Sequence, residues 1–203
     1  SMSPSSEHSP RRLAKARIRP VTTVGELVRE GREELRRSGL EAAGREAALL
    51  LGGLLEWNEA RVLARDDDPV PPETERRFRD LLDRRREGEP VAYLLGEREF
   101  FGRPFAVDSR VLIPRPETEL LVEKAIAWMQ ESKVRRTVAD IGTGSGVIAV
   151  SIAVNIPTAH ILATDISSQA LTVAESNARK FNVSGRIEFV ECDILPPRPN
   201  SFS

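Results

Sequence analysis

Val138-Ala-Asp-Ile-Gly-Thr-Gly-Ser-Gly146 decides the fold class. A short apolar run of strand length enters a turn carrying three glycines and leaves it into Val147-Ile-Ala-Val150, the apolar opening of a helix. Glycines at such a turn let the backbone approach a ligand, and the helix that follows aims its free N–H groups and positive dipole end at that ligand. Dinucleotide sites use the spacing G-x-G-x-x-G/A, but counted from Gly142 and Gly144 the third position falls on Val147, with Gly146 one place early. The spacing therefore argues against a nicotinamide dinucleotide. Asp140 argues the same way, because a carboxylate beside the turn repels a pyrophosphate and suits a cationic ligand.

Strand-like and helical stretches alternate around this turn, at residues 137–141, 146–155, 160–164, 168–181 and 186–190, which is the pattern of a parallel sheet wrapped by helices. Upstream, residues 22–96 read as helical. Thr23 and Glu26 have the spacing of a capping box, Ser38-Gly39 stops the first helix, and a second runs over residues 41–55. Asn58 caps a short third helix before the breaker Asp66-Asp-Asp-Pro-Val-Pro-Pro72, and a fourth turns Phe78, Leu81 and Leu82 inward and ends near Gly88. Residues 97–107 read as a hairpin turning around Gly102-Arg-Pro104, and Pro116 opens a helix that runs to about residue 131.

Composition narrows the classes. The 203 residues are 40% hydrophobic and 30% charged, and no apolar run reaches the roughly 18–20 residues that span a bilayer. The lone Cys192 excludes an intrachain disulfide and a multi-cysteine zinc site, and His8 and His160 are too few for a histidine-rich metal centre, so no metal is expected and a reducing compartment fits. With 30 basic and 31 acidic side chains there is no global field to attract nucleic acid. The first 20 residues read as a disordered tail, with Ser1-Met2 as an expression scar and five positive charges between Arg11 and Arg19 in a solvated tail, the remnant of a transit peptide or a phosphate-contacting arm.

Acids recur at strand ends. Asp165 closes the second strand, where a carboxylate can accept hydrogen bonds from both hydroxyls of a ribose; its rival reading is a cap on the helix beginning near Ser168. Asp193 follows the third strand, placed to accept from an exocyclic adenine amine. The ordered set of Asp140, Gly142, Thr143, Gly144, Ser145, Gly146, Asp165 and Asp193 resembles the class I S-adenosylmethionine methyltransferase pattern, which implies S-adenosylmethionine as cofactor.

Pro90-Val-Ala-Tyr-Leu-Leu-Gly96, Glu99-Phe-Phe-Gly102, Phe105-Ala-Val107 and above all Leu112-Ile-Pro-Arg-Pro-Glu-Thr-Glu119 narrow the resemblance to the HemK/PrmC family, protein-glutamine N5-methyltransferases of peptide chain release factors. It covers roughly residues 22–195. It implies an α/β fold with a helical substrate-recognition unit over residues 21–95, a β-hairpin linker over 96–113 and the N-terminal part of a Rossmann-like methyltransferase domain over 114–203. It also implies that Arg115, Pro116, Glu117 and Thr118 line the active site and that a release factor is the protein partner, in the cytoplasm or, for a eukaryotic source, the mitochondrion. The family's Asn-Pro-Pro-Tyr signature is absent, and Pro196-Pro-Arg-Pro-Asn200 does not replace it, so this chain is expected to carry no catalytic residue of that motif and to transfer little methyl by itself. Two alternatives stand beside this reading: an N6-adenine nucleic-acid methyltransferase, which presents a similar planar amine to the same donor, and a non-catalytic fragment that binds a partner through its helices.

Overall fold

The computed structural model describes residues 21–131 and 137–196. The tail over residues 1–20, with its basic run, and the proline-rich end beyond Pro196 lie outside the described residues.

Five helices come first: α1 (Val24–Arg37), α2 (Ala43–Leu55), α3 (Glu59–Ala64), α4 (Pro72–Arg86) and α5 (Val91–Leu95). The local signals act where the sequence puts them. Thr23 N–H donates to Glu26 Oε2 at 2.9 Å while Glu26 N–H donates to Thr23 Oγ1 at 3.3 Å, so each side chain satisfies the other residue's orphan N–H. Asn58 Oδ1 accepts the Arg61 N–H at 2.8 Å and starts α3. Pro72 opens α4, where a missing N–H costs nothing, and the acids Glu73 and Glu75 in its first turn and arginines 84–86 in its last suit the helix dipole. The helices close over Leu27, Leu35, Leu50, Leu51, Phe78 and Leu82, all fully buried. A half-buried fork from Arg85 to both oxygens of Glu46, at 2.8 and 3.2 Å, fastens α4 to α2. Helix α5 is a five-residue turn between Pro90 and the left-handed Gly96, too short for periodicity to reveal.

The hairpin pairs β1 (Glu97–Phe100) with β2 (Arg103–Ala106). Its turn is Phe101-Gly102, at φ 51° and 68°, one residue earlier than the sequence suggests. Two consecutive left-handed residues match the twist of antiparallel strands, and this draws Arg103 and Pro104 into β2 opposite Phe100 and Glu99. Pro104 fits there because its missing N–H lies on the same outward side as the Ala106 N–H, which donates away from the hairpin. Phe100 and Phe105 are buried, meet edge to face with centroids 6.0 Å apart, and pack against Phe181, Val122 and Met129, so the hairpin plugs the α/β core.

Then follow α6 (Glu117–Glu131), β3 (Thr137–Ile141), α7 (Val147–Asn155), β4 (His160–Asp165), α8 (Ser168–Lys180), a single 3-10 turn (Ser184–Arg186) and β5 (Ile187–Glu191). The strands form a parallel sheet in the order β3-β4-β5. Helix α7 is apolar apart from Ser151 and Asn155 because it is covered over most of its surface, with Val147, Ala149, Val150, Ile152 and Ala153 all buried among α6, α8 and the sheet. The register sets Ile141 opposite Thr164 and Asp165 opposite Glu191, so three strands end in one row.

The helical unit packs tightly at Gly31, where an added Cβ would lie 2.8 Å from Phe78 Cζ and 3.1 Å from the Ala47 Cβ. Gly31→Val is expected to lower the unfolding free energy by about 1–3 kcal/mol through overpacking, measured by urea denaturation.

Candidate functional site

The row of strand ends carries the glycine turn after β3, Asp165 at the end of β4 and residues 192–194 after β5. Gly142, Gly144 and Gly146 hold φ of 73°, 55° and 79°, a left-handed run that side chains other than glycine rarely adopt. Gly142 and Thr143 both donate their N–H to the Thr164 carbonyl at 2.8 Å, which folds the turn back over β4. Nothing lies within 4 Å of where a Cβ would stand at Gly142 or Gly144, so these two face open space. Thr143, Ser145 and Gly146 are buried and build the turn from beneath.

The carboxylates occupy different environments. Asp140 is only 7% exposed, and its Oδ2 accepts the Thr143 hydroxyl at 2.7 Å and the Ala149 N–H at 3.1 Å. Ala149 is the third residue of α7, so Asp140 satisfies a helix-start donor from across the turn. Burial pushes Asp140 above the ordinary carboxylate range; the two hydrogen bonds pull it partly back, and the charge of Asp165 pushes it up again.

Asp165 does not cap α8. Ser167 does, accepting the Ala170 N–H at 3.2 Å. Asp165 Oδ2 instead accepts the Gly144 N–H at 2.9 Å and Oδ1 the Ser167 N–H at 2.9 Å, tying the glycine turn to the start of α8. The Asp165 carbonyl accepts the Cys192 N–H at 3.0 Å, and the Thr164 hydroxyl donates to the Ile194 carbonyl at 2.8 Å, so the segment after β5 is drawn against β4 with the Asp193 side chain exposed.

Sequence reasoning passes over several residues here. Ile166, 72% exposed beside Asp165, and Ile194, 60% exposed, offer an apolar surface next to the acids; an isoleucine after an acid at a strand end is the signal that could have found the first. Asn177 is wholly buried on the face of α8 that turns Ala170, Val173 and Ala174 inward, and its signal is one amide in an apolar stripe.

The segment before α6 packs along α8. Val107 and Val111 pack with Ala170 and Val173, Ile113 lies against them, and the Tyr93 hydroxyl donates to the Val111 carbonyl at 2.6 Å. This path leads toward the end of α8 that follows Asp165. Arg115, Pro116 and Glu117 are exposed, Thr118 is half-buried, and Glu119 turns back to accept the Phe101 N–H at the hairpin tip at 2.9 Å. Among the described residues no group of three or more His, Cys, Asp or Glu side chains is placed to hold a metal, and no helix is long and apolar enough to cross a membrane.

The raised Asp140 gives a testable pH dependence. As pH rises from about 4, the unfolded carboxyl ionises first while the folded one keeps its proton, so stability is complete at lower pH and is lost on the way up. Asp140→Asn keeps an acceptor for Thr143 and Ala149 and carries no charge. It is expected to melt at or above the wild-type temperature at pH 7, with an advantage that shrinks toward pH 4 in a series of thermal melts.

Residues 26–96 match the PrmC N-terminal domain and residues 116–202 the methyltransferase small domain. The release factor glutamine methyltransferase of Bordetella pertussis is 51% identical over 141 residues, 70% of this chain and 52% of the relative. That of Moorella thermoacetica is 41% identical over 174 residues, 86% of this chain and 60% of the relative. Among solved structures, the N-terminal domain of human METTL16 in complex with SAH is 27% identical, covering 49% of this chain and 39% of that one with a TM-score of 0.36. The chain thus spans little more than half the length of the curated relatives it matches. It matches a PrmC N-terminal domain followed by a methyltransferase small domain and is similar over most of its own length to release factor glutamine methyltransferases.

Proposed function

We propose that this chain supplies the release-factor-recognition unit and the donor-binding crevice of a protein-glutamine N5-methyltransferase that uses S-adenosylmethionine. The observation that carries the proposal is the strand-end row itself, set in a chain whose relatives carry that name: an open glycine floor, a carboxylate and an exposed apolar residue stand side by side. These parts suit the donor. Gly142 and Gly144 admit close backbone approach by its methionyl end, Asp165 has acceptor capacity beyond its two amide bonds for ribose hydroxyls, and Ile166 and Ile194 offer apolar surface to its base, with Asp193 near its amine. When bound, the donor supplies a methyl group activated by a sulfonium.

The protein's part in such chemistry is positioning. A glutamine amide nitrogen is a weak nucleophile because its lone pair is delocalised into the carbonyl, so rate depends on holding that nitrogen in line with the methyl carbon and on excluding water. Arg115, Pro116, Glu117 and Thr118, which follow the segment packed on the start of α8, are the residues of this chain proposed to border the incoming side chain. Between α2, α4 and α5 lies a depression of about 340 Å³ floored by Leu81, Leu94 and Leu95 and rimmed by Arg77 and Arg84, a surface proposed to meet the protein substrate.

In a version extended to the length of the curated relatives, label from S-adenosylmethionine is expected in a release-factor glutamine. Label in duplex DNA alone would transfer the reading to an N6-adenine methyltransferase. In the 203-residue chain, Asp165→Ala is expected to weaken binding of S-adenosylhomocysteine at least tenfold, since a hydrogen bond to a charged group is worth about 1.5–3 kcal/mol. It is also expected to lower the melting temperature, because the Gly144 and Ser167 N–H groups lose their acceptors. A lower melting temperature with unchanged affinity in calorimetry would remove Asp165 from the donor site.

A further inference from the structure

Helix α8 touches the glycine turn at two successive inward positions. At the first, a methyl group on Gly146 would lie 3.0 Å from the Ala174 Cβ and 3.1 Å from its Cα, so helix and turn meet at backbone distance. At the second, one turn further along, the buried Asn177 uses its whole amide. Oδ1 accepts the Ala106 N–H at 2.8 Å, and Nδ2 donates to the Ala106 carbonyl at 3.0 Å and to the Ser145 carbonyl at 2.8 Å. Lys180 repeats the link to the hairpin with a 2.6 Å bond from Nζ to the Pro104 carbonyl.

We propose that Asn177 is a positioning residue that locks the glycine turn and the β2 end of the hairpin into one register, so that the segment from Val107 to Thr118 is delivered to the donor crevice at a fixed height. The site it positions is the one assigned under the proposed function, and the proposal rests on that reading. The chemistry allows little substitution. Ala106 directs both its N–H and its C=O outward from the hairpin, and Ser145 directs its carbonyl at α8, so an apolar side chain at position 177 would leave three polar groups unpaired. An aspartate would keep the acceptor for Ala106 and face two carbonyls with oxygen. Only a carboxamide supplies one acceptor and two donors at this reach.

The test is amide hydrogen exchange on the 203-residue chain, read by peptide, with S-adenosylhomocysteine as the probe ligand. In Asn177→Asp, exchange over residues 103–107 and 142–146 is expected to accelerate together, on the order of tenfold, while β4, α1 and α2 keep wild-type protection. In the wild type the probe is expected to slow exchange in both segments, and in the variant in the glycine turn alone. Acceleration confined to one segment, or spread evenly over the chain, overturns the proposal. Should Asn177→Asp not fold, Asn177→Ser, smaller and still polar, is read by the same criteria. Failure of the wild-type chain to bind the probe counts against the proposed function, whereas the exchange pattern without ligand still decides the role of Asn177.

Discussion

The backbone contact between Gly146 and Ala174 is the constraint on which the rest of the α/β unit depends. A methyl group on Gly146 would stand 3.0 Å from the Ala174 Cβ, tighter than ordinary contact, at a residue whose left-handed φ of 79° already favours glycine, and the same turn needs left-handed backbone at Gly142 and Gly144 to double back over Thr164. Once α8 is pressed against the turn, its next inward residue faces the Ser145 carbonyl and the outer edge of β2. A buried carbonyl without a donor is expensive, and this is the physical reason for an amide inside an otherwise apolar stripe.

Two aspartates separated by one strand spacing acquire different characters from their surroundings. Asp140 lies under the turn, partnered by a hydroxyl and a helix-start N–H, and burial favours its neutral form. Asp165 lies at the rim, where two amide donors hold it and solvent reaches it. The first shapes the crevice from inside, and the second joins the crevice to the helix that follows. Both depend on the parallel register, which sets Asp140 opposite Ala163 and Asp165 opposite Glu191.

The helical unit is held by different means. Its stability comes from Leu27, Leu35, Leu50, Leu51, Phe78 and Leu82 closing over Gly31, while most of its many arginine-carboxylate pairs are exposed and each contributes about 0–1 kcal/mol. The Arg85–Glu46 fork is the better-shielded exception, with side chains 14% and 19% exposed. Arg79 spans Glu30 and Glu75, linking α1 to α4, and the two carboxylates raise its already high affinity for its proton. Between the units, the hairpin belongs physically to the α/β core through Phe100 and Phe105, so the helical unit joins a rigid base.

Local chemistry was legible without coordinates. The capping box at Thr23 and Glu26, the Asn58 cap, the proline start of α4 and the alternation of strands and helices from residue 137 onward each involve groups within a few residues of one another, and short-range hydrogen bonds and periodicity write themselves into sequence. The glycine turn and the acids at the strand ends were legible as a set for the same reason. What only the tertiary structure decided lies between residues far apart in the chain. Asn177 meets Ala106 across 71 positions and Ser145 across 32, and Asp165 reaches Gly144 across 21. Glu119 bonds the hairpin tip rather than standing only as a helix-start acid, and the hairpin turns at Phe101 because that residue and Gly102 accept left-handed backbone once their strands are fixed by the core. Such bonds depend on which elements are pressed together. Packing decides that, and no stretch of sequence contains both partners.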